Sequence, residues 1–395
     1  MKEIIKFGDI DEGALLQATN CLEEAEVFCL MADNHKGYGM PVGGVAAYKG
    51  KICPAGVGFD IACGNKAVKL SIKASEITPE RMTEIADEIA RTVSFGIGRK
   101  NETEVTHELF DSTVWDEVDF LRDNPDLKKK AQAQLGTVGS GNHYVDVFSD
   151  EDDNVWIGVH FGSRGLGHTI ASHFMKLAGD NPNIMDETPH CLDQDSKDGL
   201  DYIECMWLAG KYAYAGRDWV CKTVADIIGA SIVEEIHNHH NFAWLEKHNG
   251  EDLWVVRKGA TPAFPGQKGF VGSSMGDNSV IIEGVDSDLS KKALYSTIHG
   301  AGRIMSRTQA AGKLIRKGKH SYRDRSGLVH WGNAQKAVAD NGTLLRGAGA
   351  DEAPEVYKKL PEVLKAHEGT IRVIHTLKPL IVVMAGADEF DPYKD

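Results

Sequence analysis

An aspartate and a cysteine stand three residues apart in Cys53-Pro54-Ala55-Gly56-Val57-Gly58-Phe59-Asp60-Ile61-Ala62-Cys63-Gly64. The glycines let the backbone bend sharply and leave little bulk around either side chain, so a carboxylate oxygen and a sulfur can face one centre. Taken alone, the stretch also describes a buried structural cysteine beside an aspartate that caps its own turn. The histidines favour the chemical reading. His143 follows Gly139-Ser140-Gly141-Asn142 and opens an alternating strand, and His160 closes Val155-Trp156-Ile157-Gly158-Val159. His240 lies in Ile236-His237-Asn238-His239-His240-Asn241, read as the end of a long helix, and His299 opens His299-Gly300-Ala301-Gly302-Arg303. A lone histidine on an apolar face is usually a satisfied core residue. Several at element ends, together with a D-x-x-C bend, offer an Asp oxygen, a Cys sulfur and three or more imidazoles, a ligand set for a transition metal. One thiolate among nitrogen and oxygen donors points first to zinc on softness alone, without settling the metal.

Around these ligands are groups suited to phosphate. Asn142, Arg164, Lys258, Arg303 and Arg307 all fall in or beside Gly-rich turns, and Gly272-Ser273-Ser274-Met275-Gly276 adds hydroxyls and bare amides. Guanidinium, ammonium and backbone N–H groups cradle phosphate together. A metal beside a phosphate cradle implies phosphoryl or nucleotidyl transfer. His299 stands apart, wrapped by Gly300 and Gly302 and followed by two arginines. A neutral imidazole nitrogen there is placed to attack the α-phosphorus of a triphosphate and form a phosphoramidate. The alternative is that His299 is a further metal ligand.

The elements that must position these residues read as mixed α/β. Residues 1–30 form an α/β entry with Gly13–Ala25 weakly helical. Val45–Tyr48, Tyr144–Phe148, Asn154–Phe161, Leu253–Val256, Val280–Ile282 and Leu380–Ala385 read as strands. Thr78-Pro79-Glu80 is a helix start, with a capping hydroxyl and proline at the first helical position, followed by Met82, Ile85, Ile89 and Val93 at helical spacing. Leu200–Glu235 reads as one or two long helices, Ser287–Ile298 as a helix or turn delivering His299, and Pro354–Lys365 as a last helix. No repeat or low-complexity linker divides the 395 residues, so one large α/β domain is expected. Seven cysteines, an odd number with no C-x-x-C pair, speak for a reducing compartment. No run spans a bilayer, and Met1-Lys2-Glu3 is a charged start unlike a leader, so the chain is read as cytoplasmic. A net charge of −14 argues against broad nucleic-acid binding. It leaves room for a local basic site over Arg303–Arg325, whose bland alternative is a solvated helix face.

The chain resembles the RtcB family of RNA ligases over nearly its full length. The resemblance rests on Asp33-Asn34-His35-Lys36-Gly37, Gly56–Gly64, Gly139–His143, His160–Gly165 and Arg257-Lys258-Gly259-Ala260. It continues through Ser274-Met275-Gly276, His299–Arg307 and Asp351-Glu352-Ala353-Pro354. It implies a single ligase domain over residues 1–395, with central β-sheets flanked by helices and a metal site in a central cleft. It further implies two Mn2+ ions bound by Asp60, Cys63, His143, His160 and His240, with the Cys63 thiolate bridging them. GTP would guanylylate His299, and the guanylyl group would pass to an RNA 3′-phosphate that a 5′-hydroxyl then attacks. Asn142, His143, Asp146, Ser274, Met275, Gly276, Gly300, Ala301, Gly302 and Arg303 would contact the nucleotide. Arg164, Lys258, Arg303 and Arg307 would contact phosphate and RNA. The implied substrates are tRNA halves or broken RNA ends, with the need for an activating partner protein left open. Rival readings are a metal-dependent phosphoesterase that opens cyclic phosphates, and an RNA-binding accessory protein. The chain departs from the family where the base should sit. Asp146 stands for the usual Glu, Met384 and Ala385 for a terminal Lys-Gly, and Gly272-Ser273 for Pro-Gly. Fewer matched polar partners weaken base selectivity, so an altered nucleotide preference is expected before any loss of catalysis.

Overall fold

A computed structural model describes residues 2–102, 104–317, 320–324 and 326–387. Its frame is two β-sheets that meet at one corner. The larger runs Lys268–Val271, Ser279–Gly284, Ile371–Gly386, Tyr144–Ser149, Asn154–Phe161, Gly64–Lys73, Ile232–His239, with Leu344–Ala348 added in parallel beside Ile371–Gly386. The smaller has five strands in the order Ile4–Lys6, Val27–His35, Val42–Tyr48, Glu251–Lys258, Asn241–His248. Strand Ile232–His239 of the first sheet passes through His240 directly into Asn241–His248 of the second.

Local chemistry explains the elements that matter. Val145, Val147, Val155, Ile157 and Val159 share one apolar cluster with Val68, Leu70 and Ile381, as expected of β-branched residues in strands buried on both faces. Against that cluster lies the helix Pro79–Thr92, opened by Thr78, whose side chain accepts from the Arg81 N–H. The long helix Lys197–Ile228 also packs here, through Val220, Cys221 and Val224. The strand Ile371–Gly386 shifts register between Pro379 and Ile381, the irregularity at which a proline is tolerated inside a sheet.

The mixed α/β class is as expected, and the strands Tyr144–Ser149 and Asn154–Phe161 contain the segments anticipated. Several element assignments need correction. The helix read as far as Glu235 ends at Ile228, with Gly229 in the left-handed region at φ 84°. Residues Ile232–His239 are a strand, so His240 follows a strand and not a helix. The segment before His299 is the short helix Asp288–Lys292 followed by the strand Ser296–Ile298. The last helix is split into a 3-10 turn, Pro354–Val356, and Leu360–Lys365. The basic run from Arg303 is no helix face: it folds as Arg307–Ala311 and a hairpin of Leu314–Lys317 with His320–Arg323. Lys319 and Arg325 lie outside the described residues.

Candidate metal centre and catalytic site

Strand register brings the ligands together. Gly64 pairs with both Phe161 and His239, and Tyr144 pairs with His160. Cys63, His143, His160 and His240 therefore crowd together at the ends of four neighbouring strands, although the chain separates them by up to 177 positions. The backbone N–H of His240 donates to the Cys63 carbonyl at 2.8 Å, fixing the corner residue against the bend.

The donor atoms form two triads that share one sulfur: Cys63, His160 and His240, and Asp60, Cys63 and His143, each with its atoms within 4.8 Å of one another. Cys63 Sγ is 3.2 Å from His160 Nε2 and 3.7 Å from His143 Nε2, and Asp60 Oδ2 is 3.2 Å from His143 Nε2. The chemistry of the set fits two divalent transition ions. His143 Nδ1 lies 3.0 Å from the Val138 carbonyl; with its proton donated there, Nε2 keeps a lone pair facing the triad. Burial drives the pKa values of His160 and His240 far down, so both rings are neutral. Nδ1 of His240 is buried without a partner among the described residues. Burial, and then the Asp60 carboxylate, push the Cys63 thiol upward, so a thiolate here needs a cation beside it. Gly162 must stay bare, because a Cβ there would overlap the Asp60 carboxylate.

His299 adjoins this centre, its ring 4.8 Å from that of His240 between centroids. It belongs to neither triad. Asp33, fully buried at the end of Val27–His35, holds it: Oδ2 is 2.7 Å from His299 Nδ1 and accepts from the backbone N–H groups of His299 at 3.0 Å and Gly300 at 3.3 Å. Burial alone would raise the Asp33 carboxyl, but the charge and hydrogen bonds of His299 outweigh it and hold the group below the usual range. Gly302, at φ +78°, packs directly on the Asp33 backbone. The Gly300-Ala301-Gly302 wrapping thus serves the Asp33–His299 contact.

The cations expected to hold phosphate have protein partners. Arg303 donates to the Asp351 carbonyl at 2.8 Å, to Glu352 at 3.3 Å and to the Tyr357 hydroxyl at 3.2 Å. Arg307 pairs with Glu352 and, at 3.4 Å, with Asp351. Arg164 lies under the Gly139 turn, where a Cβ would overlap its guanidinium, and reaches Thr137 Oγ1 and the Gly96 carbonyl, each at 3.4 Å. Lys258 donates to the carbonyls of Tyr38 and Ala55, and burial lowers its pKa to about 8. Asn142 sits half-buried in the turn before His143.

The residues expected around a base form a separate, largely apolar cluster. Met275 and Met384 pack with Tyr144, Phe270 and Val338. Ser274 Oγ donates to Asp277 at 2.7 Å. Asp146 is buried with Oδ1 unpartnered among the described residues, and burial pushes its carboxyl well up, favouring the neutral acid.

Sequence reasoning passed over three positioning groups: Asp33, Asn241 and Arg217. Asn241 ties the corner to the bend, its carbonyl accepting from Ala62 N–H at 2.7 Å and its side-chain oxygen from Gly259 N–H at 2.8 Å. Arg217 stands four residues after buried Ala213 and three before buried Val220, on the apolar stripe of its helix. A lone arginine on such a stripe was the signal available.

The family model for tRNA-splicing ligase RtcB matches residues 16–385, and the chain belongs to that family. It is 32% identical to the RNA-splicing ligase RtcB of Escherichia coli (strain K12), over 90% of this chain and 89% of the relative. It is 31% identical to the tRNA-splicing ligase RtcB of Methanococcus maripaludis, over 95% and 92%, and 30% identical to that of Archaeoglobus fulgidus, over 96% and 92%.

Proposed function

We propose that this chain is a manganese- and GTP-dependent RNA ligase. It joins a 2′,3′-cyclic phosphate or 3′-phosphate end to a 5′-hydroxyl end through a guanylyl group carried on His299. The observation that carries the reading is the Asp33–His299 contact of 2.7 Å beside two metal-type triads sharing one sulfur. The names of the relatives, RNA-splicing and tRNA-splicing ligases, support the substrate class.

A carboxylate accepting from Nδ1–H keeps the proton on that nitrogen and leaves the Nε2 lone pair for attack on the α-phosphorus of GTP. The P–N bond forms, the bond from the α-phosphorus to the bridging oxygen breaks, and pyrophosphate leaves. The ring becomes cationic as it attacks, and the ionised Asp33 stabilises that charge. Asp60, Cys63, His143, His160 and His240 would hold two Mn2+ ions, which supply Lewis acidity and neutralise phosphate charge. An oxygen of the RNA 3′-phosphate then takes the guanylyl group from His299, breaking the P–N bond. That transfer restores neutral His299; the 5′-hydroxyl, giving up its proton to solvent, then attacks the activated RNA phosphorus and releases GMP.

The test is retention of label on denatured protein after incubation with Mn2+ and α-labelled GTP or ATP. The expected product is labelled from GTP and is acid-labile and alkali-stable, as a phosphoramidate is. Label from ATP alone would keep the nucleophile and replace the nucleotide. Opening of cyclic phosphates without any label would leave a phosphoesterase, and neither activity would leave an RNA-binding protein. Asp33→Asn probes the carrying contact directly. An amide cannot stabilise the imidazolium and favours the wrong tautomer, so single-turnover labelling is expected to slow on the order of 10³- to 10⁴-fold. Metal content should stay at the wild-type level. An unchanged labelling rate would remove Asp33 from the mechanism.

A further inference from the structure

Arg217 lies midway along the helix Lys197–Ile228 with none of its surface in solvent. A guanidinium carries five N–H donors and keeps its proton inside proteins. Burying one is costly unless those donors find acceptors. Among the described residues no carboxylate pairs with it; its recorded hydrogen bonds run to carbonyls and imidazole nitrogens. Nη1 donates to the carbonyls of Ala62 at 3.0 Å and Phe161 at 2.5 Å, Nη2 to His239 Nδ1 at 2.9 Å, and Nε to His237 Nε2 at 2.8 Å.

These acceptors have a pattern. Ala62 precedes Cys63, Phe161 follows His160, and His239 precedes His240. Each donor of the Cys63–His160–His240 triad therefore has a chain neighbour tied to the same guanidinium. The Asp60–Cys63–His143 triad shares only the Cys63 attachment, since His143 is oriented by Val138 and Asp60 by His143. The two imidazoles that Arg217 engages are themselves braced. Tyr214 stacks on His239 with 4.0 Å between centroids and lies 3.9 Å from His237.

Building on the metal-centre reading above, we infer that Arg217 is a positioning residue for one half of that centre. It sets the spacing of the three chain segments whose side chains must converge on the ion held by Cys63, His160 and His240. Beyond the Cys63–His160 contact of 3.2 Å, two neutral rings and a thiol have little to hold them at ligand spacing before an ion arrives, so the backbone must place them. The guanidinium fork does this because its donor directions are rigid. The second ion depends on Arg217 only through Cys63.

The experiment compares wild type, Arg217→Gln and Arg217→Lys as full-length chains stripped of metal. Mn2+ binding is measured by equilibrium dialysis with elemental analysis, and Co2+ binding by the thiolate-to-cobalt absorption band. Circular dichroism and thermal unfolding of the metal-free chains report on folding. Wild type is expected to bind two ions per chain, one at each triad. Arg217→Gln is expected to hold one ion near wild-type affinity and to bind the other roughly 10- to 100-fold more weakly. Its cobalt–thiolate band should fall without vanishing. Arg217→Lys keeps the buried charge but reaches fewer acceptors, and should recover part of the loss. Two ions bound with wild-type affinity by folded Arg217→Gln would overturn the role, as would equal weakening of both. Failure of both variants to fold would also overturn it, assigning Arg217 to the core at large. Wild-type protein that binds neither Mn2+ nor Co2+ would overturn the metal-centre reading itself, a result distinct from the others.

Discussion

His299→Ala is expected to abolish covalent labelling by α-labelled GTP, a loss on the order of 10⁴-fold or more. Alanine offers no nitrogen to the α-phosphorus, and the other histidines of the site are committed. His143, His160 and His240 belong to the two triads, and His299 to neither. The same variant should retain both ions in elemental analysis. That second readout separates the two roles open to His299. A nucleophile can be removed without disturbing the ions, whereas a ligand cannot. The substitution also leaves Asp33 as a buried carboxylate whose strongest partner is gone. Some loss of thermal stability is therefore expected beside the chemical defect, and labelling must be compared between folded samples. Label surviving on the variant would move the nucleophile elsewhere, and loss of an ion would make His299 a ligand.

Cys63→Ala should strip the centre of both ions. Its sulfur is the one donor common to the two triads. Deleting it leaves a pair of imidazoles on one side, and a carboxylate with one imidazole on the other. Two donors hold a divalent transition ion far less well than three, so each affinity should fall more than about 100-fold. Competition with a chelator measures this without recourse to catalysis. Because the metal-free thiol is pushed toward its protonated form, alanine should cost little in folding of the stripped protein. Retention of one tightly bound ion would show that the sulfur serves a single triad.

Much of this site was legible before any coordinates. Cys63, His143 and His160 each stand where a glycine-rich bend meets an apolar segment, and strand register does the rest. The structure does bring His240 beside Cys63 and His160, but at the end of a strand where the sequence suggests a helix. Ile232, Val233 and Ile236 suit a helix as well as a strand, and the segment bears two glutamates. Those carboxylates are held by cross-strand lysines, Glu235 by Lys66 at 2.5 Å and Glu234 by Lys268 at 2.6 Å. Ion pairs here replace the apolar alternation that would have announced a strand. The Asp33–His299 bond joins residues 266 positions apart, a contact that only the meeting of Val27–His35 with Ser296–Ile298 creates. Arg217 differed again. Its residue type was anomalous for its stripe, but the three segments it joins exist only in the folded sheet.

The acid pair Asp351–Glu352 has a consequence for how anions enter. Arg303 and Arg307 rest against these carboxylates, and Arg323 lies 3.8 Å from Asp351. In a chain of net charge −14, such self-neutralisation leaves these arginines with little long-range pull on a polyanion. On the function proposed above, an arriving phosphate would have to exchange places with a carboxylate or share its guanidinium. An isolated stretch of nucleic-acid backbone gains little from that exchange. A ligand anchored elsewhere at the same moment, for instance by a metal-bound end, gains enough to complete it. On that reading, discrimination would arise from simultaneous engagement and owe little to charge attraction.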